Sequence, residues 1–207
     1  MGAESFNSKP EPGRAPLTRD TIVDAAIELL DEVGLAKLST RRLAGRLGIQ
    51  NASLYWHFKN KDALLDAMSA RLYNAVVPPP QVHAPDFDWA EWLAEGARAI
   101  HRVALSKRDG ARIMLRIRLD DPDALRRIAR NTAVLQEKGF TELEAQYALQ
   151  TLRRFALGSA LQEQQNLGLA VDTPGLAGED VFEFGLRLVI DSLRRHPEAQ
   201  TIAAPQP

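Results

Sequence analysis

The chain of 207 residues contains no cysteine. That absence removes disulfides, thiolate nucleophiles and cysteine-held zinc, and it suits a reducing cytoplasm. No apolar run approaches the ~20 residues a helix needs to cross a bilayer, so no membrane segment is expected. The opening stretch MGAESFNSKPEPGRAP is polar and rich in Pro and Gly, without the apolar core of a secretory signal, and a cytoplasmic location is the expectation. Charge of one sign is not in excess either: Lys and Arg number 26, Asp and Glu 27, and the net charge is -1. The signatures of the common hydrolases and nucleotide-binding enzymes, GxSxG, HExxH and GxxxxGK[ST], do not occur. His57, His83, His101 and His196 fall at no metal-ligand spacing, and Asp120-Asp121 reads as a helix cap rather than an acid/base pair. Neither an enzyme nor a metal or cofactor site is expected. Alternation of period two is missing as well, which leaves an all-α chain.

One short segment stands out against this neutral background. Ser39 to Lys61, STRRLAGRLGIQNASLYWHFKNK, has two short helical periods around a glycine turn. Lys37, Arg41, Arg42, Arg46, Lys59 and Lys61 bring six bases and no acid intervenes. A local basic segment in a neutral chain is the electrostatic footprint of a nucleic-acid contact. Thr40 is a candidate cap at a helix start, Leu43, Ala44 and Leu47 make one apolar face, and Gly48 ends the helix with a left-handed turn. The next helix, near Asn51 to His57, is too short to persist in water without tertiary contacts. In a helix-turn-helix the second helix enters the major groove. Gln50, Asn51 and Ser53 then meet base edges, and Arg41 and Arg42 reach phosphates or a guanine edge. Tyr55, Trp56, His57 and Lys61 brace the phosphates. From spacing alone a solvated basic face on a protein-contacting module stays open, although three large rings beside two lysines favour a contact site.

Helical punctuation continues along the chain. Ile22, Ala26, Leu29, Leu30 and Val33 form a stripe ending at Gly34, and Asn60 caps a helix carrying Leu64, Leu65, Met68 and Leu72. Pro78 to Pro80 stop that helix. Asp88 to Glu91 and Thr141 to Glu144 have the form of capping boxes, and Asp121-Pro122 opens a helix closing at Gly139. The helix after Thr141 is expected to reach about Asn166, followed by a Gly/Pro-rich loop from Gly168 to Gly178 and a last helix striped by Phe182, Leu186, Val189 and Leu193. Four segments are expected: a flexible tail at 1–15, a DNA-binding domain at 16–76, a ligand-binding and dimerisation domain at 77–196, and a second tail at 197–207.

Ile22 to Met68, with AAIELL, GLAKLSTRRLAGRLGI and LYWHFKNKDALL, resembles the N-terminal domain of the tetracycline repressor (TetR) family. KRDGARIML, LQEKGFTELEAQYAL, FALGSALQEQQ and FEFGLRLVI resemble the C-terminal core of its tetracycline-repressor branch. The resemblance implies a three-helix helix-turn-helix domain followed by a larger helical body. It further implies a homodimer on double-stranded palindromic operator DNA, released by a small-molecule effector. The last two long helices are implied to pair with a second subunit, and Leu149, Leu152, Ala156, Ser159, Ala160, Gly185, Leu188 and Leu193 offer suitable faces.

The branch binds a magnesium–tetracycline chelate, and here the resemblance departs. Its metal-ligating histidine falls on Met114 and its acidic partner on Gln162; its polar-rim histidine and asparagine fall on Val77 and Gly96, and a pocket phenylalanine on Ile100. A thioether and a neutral amide do not replace an imidazole and a carboxylate around a hard cation. The expected effector is therefore hydrophobic or polyketide-like, in a pocket drawn from Trp89, Trp92, Ile100, Met114, Arg118, Leu125, Asn131, Gln146, Leu149, Arg153 and Gln162. An inward Arg118 or Arg153 would call for an acidic ligand group.

Overall fold

The computed structural model describes residues 17–76, 87–117, 121–166 and 178–202, which form nine helices and no strand. The first four are α1 (Arg19–Val33), α2 (Thr40–Leu47), α3 (Asn51–His57) and α4 (Lys61–Asn74); the body consists of α5 (Trp89–Leu105), α6 (Gly110–Met114), α7 (Pro122–Gln136), α8 (Glu142–Asn166) and α9 (Gly178–Ile202).

Side chains next to the helix ends set most boundaries. Thr18 and Thr21 make a reciprocal capping box, and Gly34, at φ 75°, returns its N–H to Leu30. Ser39 rather than Thr40 caps α2, its hydroxyl accepting from the Arg42 N–H at 3.2 Å, because Thr40 already has helical backbone. Asn60 accepts from the Ala63 N–H, Asp121 from that of Ala124 with Pro122 at the first turn, and Thr141 and Glu144 bond each other's backbone. Only half of the box at Asp88 forms. Its carboxylate accepts from Ala90 and Glu91, while the Glu91 side chain turns to Arg98 at 2.8 Å. The expected 168–178 loop lies outside the described residues except at Gly178, and the first tail lies outside them entirely. Helix α9 runs to Ile202, five residues beyond the expected start of the second tail at 197.

Two apolar cores interlock. The first gathers Ile22, Leu30, Leu43, Leu54, Leu64 and Met68 from α1 to α4. It is completed by Ile113 and Met114 of α6 and by Leu157 and Ala160 of α8. Three short helices bury too little surface for independent stability, so the body supplies the remaining wall. The second core joins α5, α8 and α9 through Leu93, Ala94, Ala97, Leu152, Ala156, Phe182 and Leu186. Alanines on the facing sides of α5 and α8 permit close helix approach. Buried His101 of α5 bonds Glu163 of α8 at 2.9 Å and stacks on Phe182 of α9, with ring centroids 4.0 Å apart. Helix α8 therefore contributes to both cores, and α6 joins the first.

Candidate nucleic-acid interface and ligand cavity

At one end of the molecule the turn between α2 and α3 presents polar side chains to solvent. Gly48, at φ 61° and ψ 37°, supplies the left-handed residue that lets α3 leave α2 at a sharp angle. Leu54 and Phe58 bury one side of α3, which leaves Tyr55 51% and Trp56 90% exposed. Exposing an indole to that degree gives up its burial energy, and the physical return is contact with another surface. Arg41, Arg42, Gln50, Asn51 and Lys61 are exposed, while Thr40, Ser53 and His57 are half-buried. Gln50 precedes α3 without using its side chain as a cap, so its amide is unspent on the helix.

The six bases separate into different roles. Arg46 is committed to α1, with Glu32 at 2.7 Å and Glu28 at 3.0 Å. Those two hydrogen bonds, Glu32 first, hold its guanidinium above the usual range. The Lys61 ammonium donates to the Leu38 carbonyl at 2.7 Å, fixing the entry to α2. Arg19, which sequence reasoning passed over, donates to the His57 carbonyl at 3.0 Å and lies 4.4 Å from the Phe58 ring centre. It fastens the end of α3 to the start of α1.

The body and the end of α4 border an open-sided cavity of about 840 Å³, within the ~300–1,000 Å³ range of small-molecule sites. The end of α4 contributes Tyr73 and Val76, α5 contributes Trp92, Gly96 and Ile100, and α7 and α8 line further sides. Of the residues expected from sequence, Trp92, Ile100, Leu125 and Asn131 line it, as do Gln146, Leu149 and Arg153. Three others lie apart. Trp89 packs edge-on against Phe140 at 5.3 Å, Met114 is fully buried in the first core, and Gln162 is exposed on α8. Arg118 and Val77 fall outside the described residues. Sequence reasoning missed Tyr73, Arg127, Arg130 and Arg154; the signal was the Arg126-Arg127-Ile128-Ala129-Arg130 run, whose spacing places Arg127 and Arg130 on one helix face. Gly96 opens the wall, because a Cβ built there meets nothing within 4 Å.

Polar contacts connect the body to the exposed end. Arg116, just after α6, bonds Asp62 at 2.9 Å and Asp66 at 3.1 Å on α4. The turn between α5 and α6 docks on the end of α1. The Asp109 carboxylate accepts the Leu35 N–H at 2.8 Å, and Asp31 accepts the Arg108 N–H at 2.9 Å and the Lys107 ammonium at 3.1 Å. The backbone bond from Arg108, followed by Lys107, holds the Asp31 carboxyl below the usual carboxylate range. Gln164 of α8 secures the same turn, donating to the carbonyls of Ala104 and Lys107 and accepting from the Ala111 N–H.

A helix-turn-helix with an exposed aromatic recognition helix, set on a helical body that holds a cavity, defines a helix-turn-helix regulator. Residues 22–68 match the family described as bacterial regulatory proteins, tetR family, and residues 82–174 match the tetracyclin repressor-like C-terminal domain. The class D tetracycline repressor protein of Escherichia coli is 35% identical over 171 residues, covering 81% of this chain and 76% of that protein. A TetR variant of Acinetobacter baumannii AYE, solved in complex with minocycline, is 34% identical with a TM-score of 0.78, covering 88% of this chain and 99% of that one. ActR of Streptomyces coelicolor, solved in complex with (S)-DNPA, is 32% identical with a TM-score of 0.75, covering 88% and 100%. The chain belongs to the tetR family of bacterial regulatory proteins, as a DNA-binding transcriptional regulator rather than an enzyme.

Proposed function

We propose that two copies of this chain form a repressor that binds a palindromic operator and leaves it when a small, mostly apolar effector fills the cavity. The observation that carries this reading is the position of α4. Lys61 at its start adjoins the recognition helix, and Tyr73 near its end lines the cavity. A 14-residue helix spans ~21 Å at ~1.5 Å per residue, so one rigid element touches both places. A ligand that favours one setting of α4 shifts the separation of two recognition helices, which a palindrome fixes at ~34–36 Å. Coupling of ~1–3 kcal/mol between effector and DNA suffices for such release. The relatives solved with minocycline and with (S)-DNPA support a small-molecule effector in this body.

The dimer reading is supported by an uncovered apolar stripe. Val181, Phe184 and Leu188 of α9 stand exposed at helical spacing, and Leu143 and Tyr147 are exposed on α8. Of the face expected from sequence, Leu188 is outward, whereas Leu152, Ala156 and Ala160 are buried within the subunit and Gly185 sits against the Phe155 ring. We infer that a magnesium–tetracycline chelate is not the effector. The positions matched to its ligands hold a buried thioether at Met114 and an exposed amide at Gln162.

The operator is tested by fluorescence anisotropy on selected duplexes. Affinity is expected to fall linearly in log–log form with salt, by ~0.9 in slope for each phosphate neutralised. Arg42→Ala removes two such contacts per dimer and makes the slope shallower by about 1.8. Arg46→Ala leaves it unchanged, because Glu28 and Glu32 already neutralise that side chain. Salt-insensitive binding, or an equal slope change for both variants, sinks the electrostatic assignment.

Base readout and anchoring separate in a second experiment. Asn51→Ala or Arg41→Ala is expected to cost ~1–3 kcal/mol at particular base pairs and to relax specificity there. Lys61→Ala and Tyr55→Ala weaken all sequences alike, Lys61→Ala also loosening the Leu38 turn. Binding to a panel of single-base operator variants reads this directly. A change of base preference in Lys61→Ala without one in Asn51→Ala reverses the roles.

A further inference from the structure

Among the described residues the cavity wall carries cations and no anions. Among its described lining residues are Arg127 and Arg130 of α7 and Arg153 and Arg154 of α8, with no aspartate or glutamate. Arg130 and Arg154 are exposed, while Arg127 and Arg153 are half-buried. Both inner guanidiniums are held by neutral groups. Arg153 donates to the Gln150 amide oxygen at 2.8 Å, and Arg127 to that of Asn74 at 3.1 Å, with its guanidinium carbon 5.7 Å from the Tyr73 ring centre. An amide oxygen satisfies part of the five-donor fork and offsets none of the charge.

Two further buried groups are short of hydrogen-bond partners. The Asn131 amide oxygen is shielded from water and unpaired, and the Tyr73 hydroxyl, on a residue only 4% exposed, has the Arg153 guanidinium beside it as a donor but no acceptor for its own proton. Burial pushes the Tyr73 phenol up and the neighbouring Arg153 draws it partly back. The phenol therefore keeps its proton at neutral pH and is a donor with no acceptor. Leaving such a group unpaired costs free energy that an incoming acceptor recovers. Charge-assisted bonds to a planar anionic group are the strongest this set of donors can make.

We propose that the cavity takes an organic anion, an apolar molecule bearing a carboxylate or similar acidic oxygen group. Its charged oxygens lie between Arg153, Arg127 and Tyr73, and its body lies along Trp92, Ile100 and Leu149. This rests on the reading of the cavity as the ligand site.

The test uses two fluorescent probes of one shape. The intact protein is titrated with 8-anilinonaphthalene-1-sulfonate and with N-phenyl-1-naphthylamine, which has the same rings without the sulfonate. The anion is expected to bind at least tenfold more tightly. Arg153→Gln and Arg127→Gln each reduce its affinity about tenfold and change that of the neutral probe by less than twofold, which also shows that the variants remain folded. Tyr73→Phe, which removes only the hydroxyl, weakens the anion several-fold. Gly96→Phe fills the open wall and removes both probes. Equal affinities in the unaltered protein would overturn the proposal. So would a preference that survives in the double arginine variant, or anion binding that persists after Gly96→Phe. Operator anisotropy on the same samples keeps the two readings apart: selective anion binding without DNA release supports the anion site and counts against the cavity as the effector site.

Discussion

Replacing both Phe184 and Leu188 by glutamate is expected to turn the protein into a folded monomer with operator affinity reduced by ~10²–10⁴-fold. These side chains are 57% and 55% exposed in the subunit, so their removal leaves the subunit core intact. In a two-fold dimer the same stripe meets itself, and four glutamates then face each other across a desolvated surface. Each half-site afterwards binds alone, without the ~10²–10⁴-fold gain from holding the second recognition helix at high effective concentration. Sedimentation measures the assembly and anisotropy the affinity. A variant that stays dimeric would place the interface elsewhere. A monomer that keeps full affinity would show that the operator is read by single subunits.

Gly110→Ala is expected to cost about 3 kcal/mol, at the upper end for overpacking, and to loosen the link between body and DNA-binding end. A Cβ at Gly110 would fall on the Ala104 carbonyl oxygen, well inside van der Waals contact and against backbone rather than a flexible side chain. The turn would have to shift, and Asp109, held at φ 56° with its carboxylate on the Leu35 N–H, shifts with it. Arg108 and Lys107 then lose their positions on Asp31. Gly45→Ala is the control: a Cβ there meets nothing within 4 Å, and alanine in a helix interior gains ~0.5–1 kcal/mol over glycine. Urea unfolding of both variants checks the pair. A Gly110→Ala protein as stable as its parent would mean that the turn repacks freely and is not a rigid connection.

The caps show how far local chemistry reaches. Asn60, Asp121 and the Thr141–Glu144 box act as their sequence neighbourhoods predict, because each needs only residues within one helical turn. The same logic mistook Thr40 for the cap one residue past Ser39, since both hydroxyls suit the role and only backbone angles separate them. Helix α6 was not anticipated at all. Five residues are too few to show a period, and the helix exists because Ile113 and Met114 are drawn into a core built mainly by α1 to α4.

The sequence by itself determined the all-helical chain, the glycine turns at Gly34 and Gly48, the basic face around α2 and α3, and the family, all encoded in contiguous residues. Only the tertiary structure decided which charges are spent and which are free. Arg46 counted among the six bases of the segment until α1 brought Glu32 and Glu28 to it, from 14 and 18 positions away. Arg127 drew no notice in the sequence until α7 and α8 set it beside the expected Arg153 on one cavity with Tyr73 of α4. Helical period fixes the direction of each side chain about its own axis. It says nothing about which helix stands opposite, and in α8 that question has three answers: Leu152 enters the second core, Leu157 the first, and Arg153 the cavity between them.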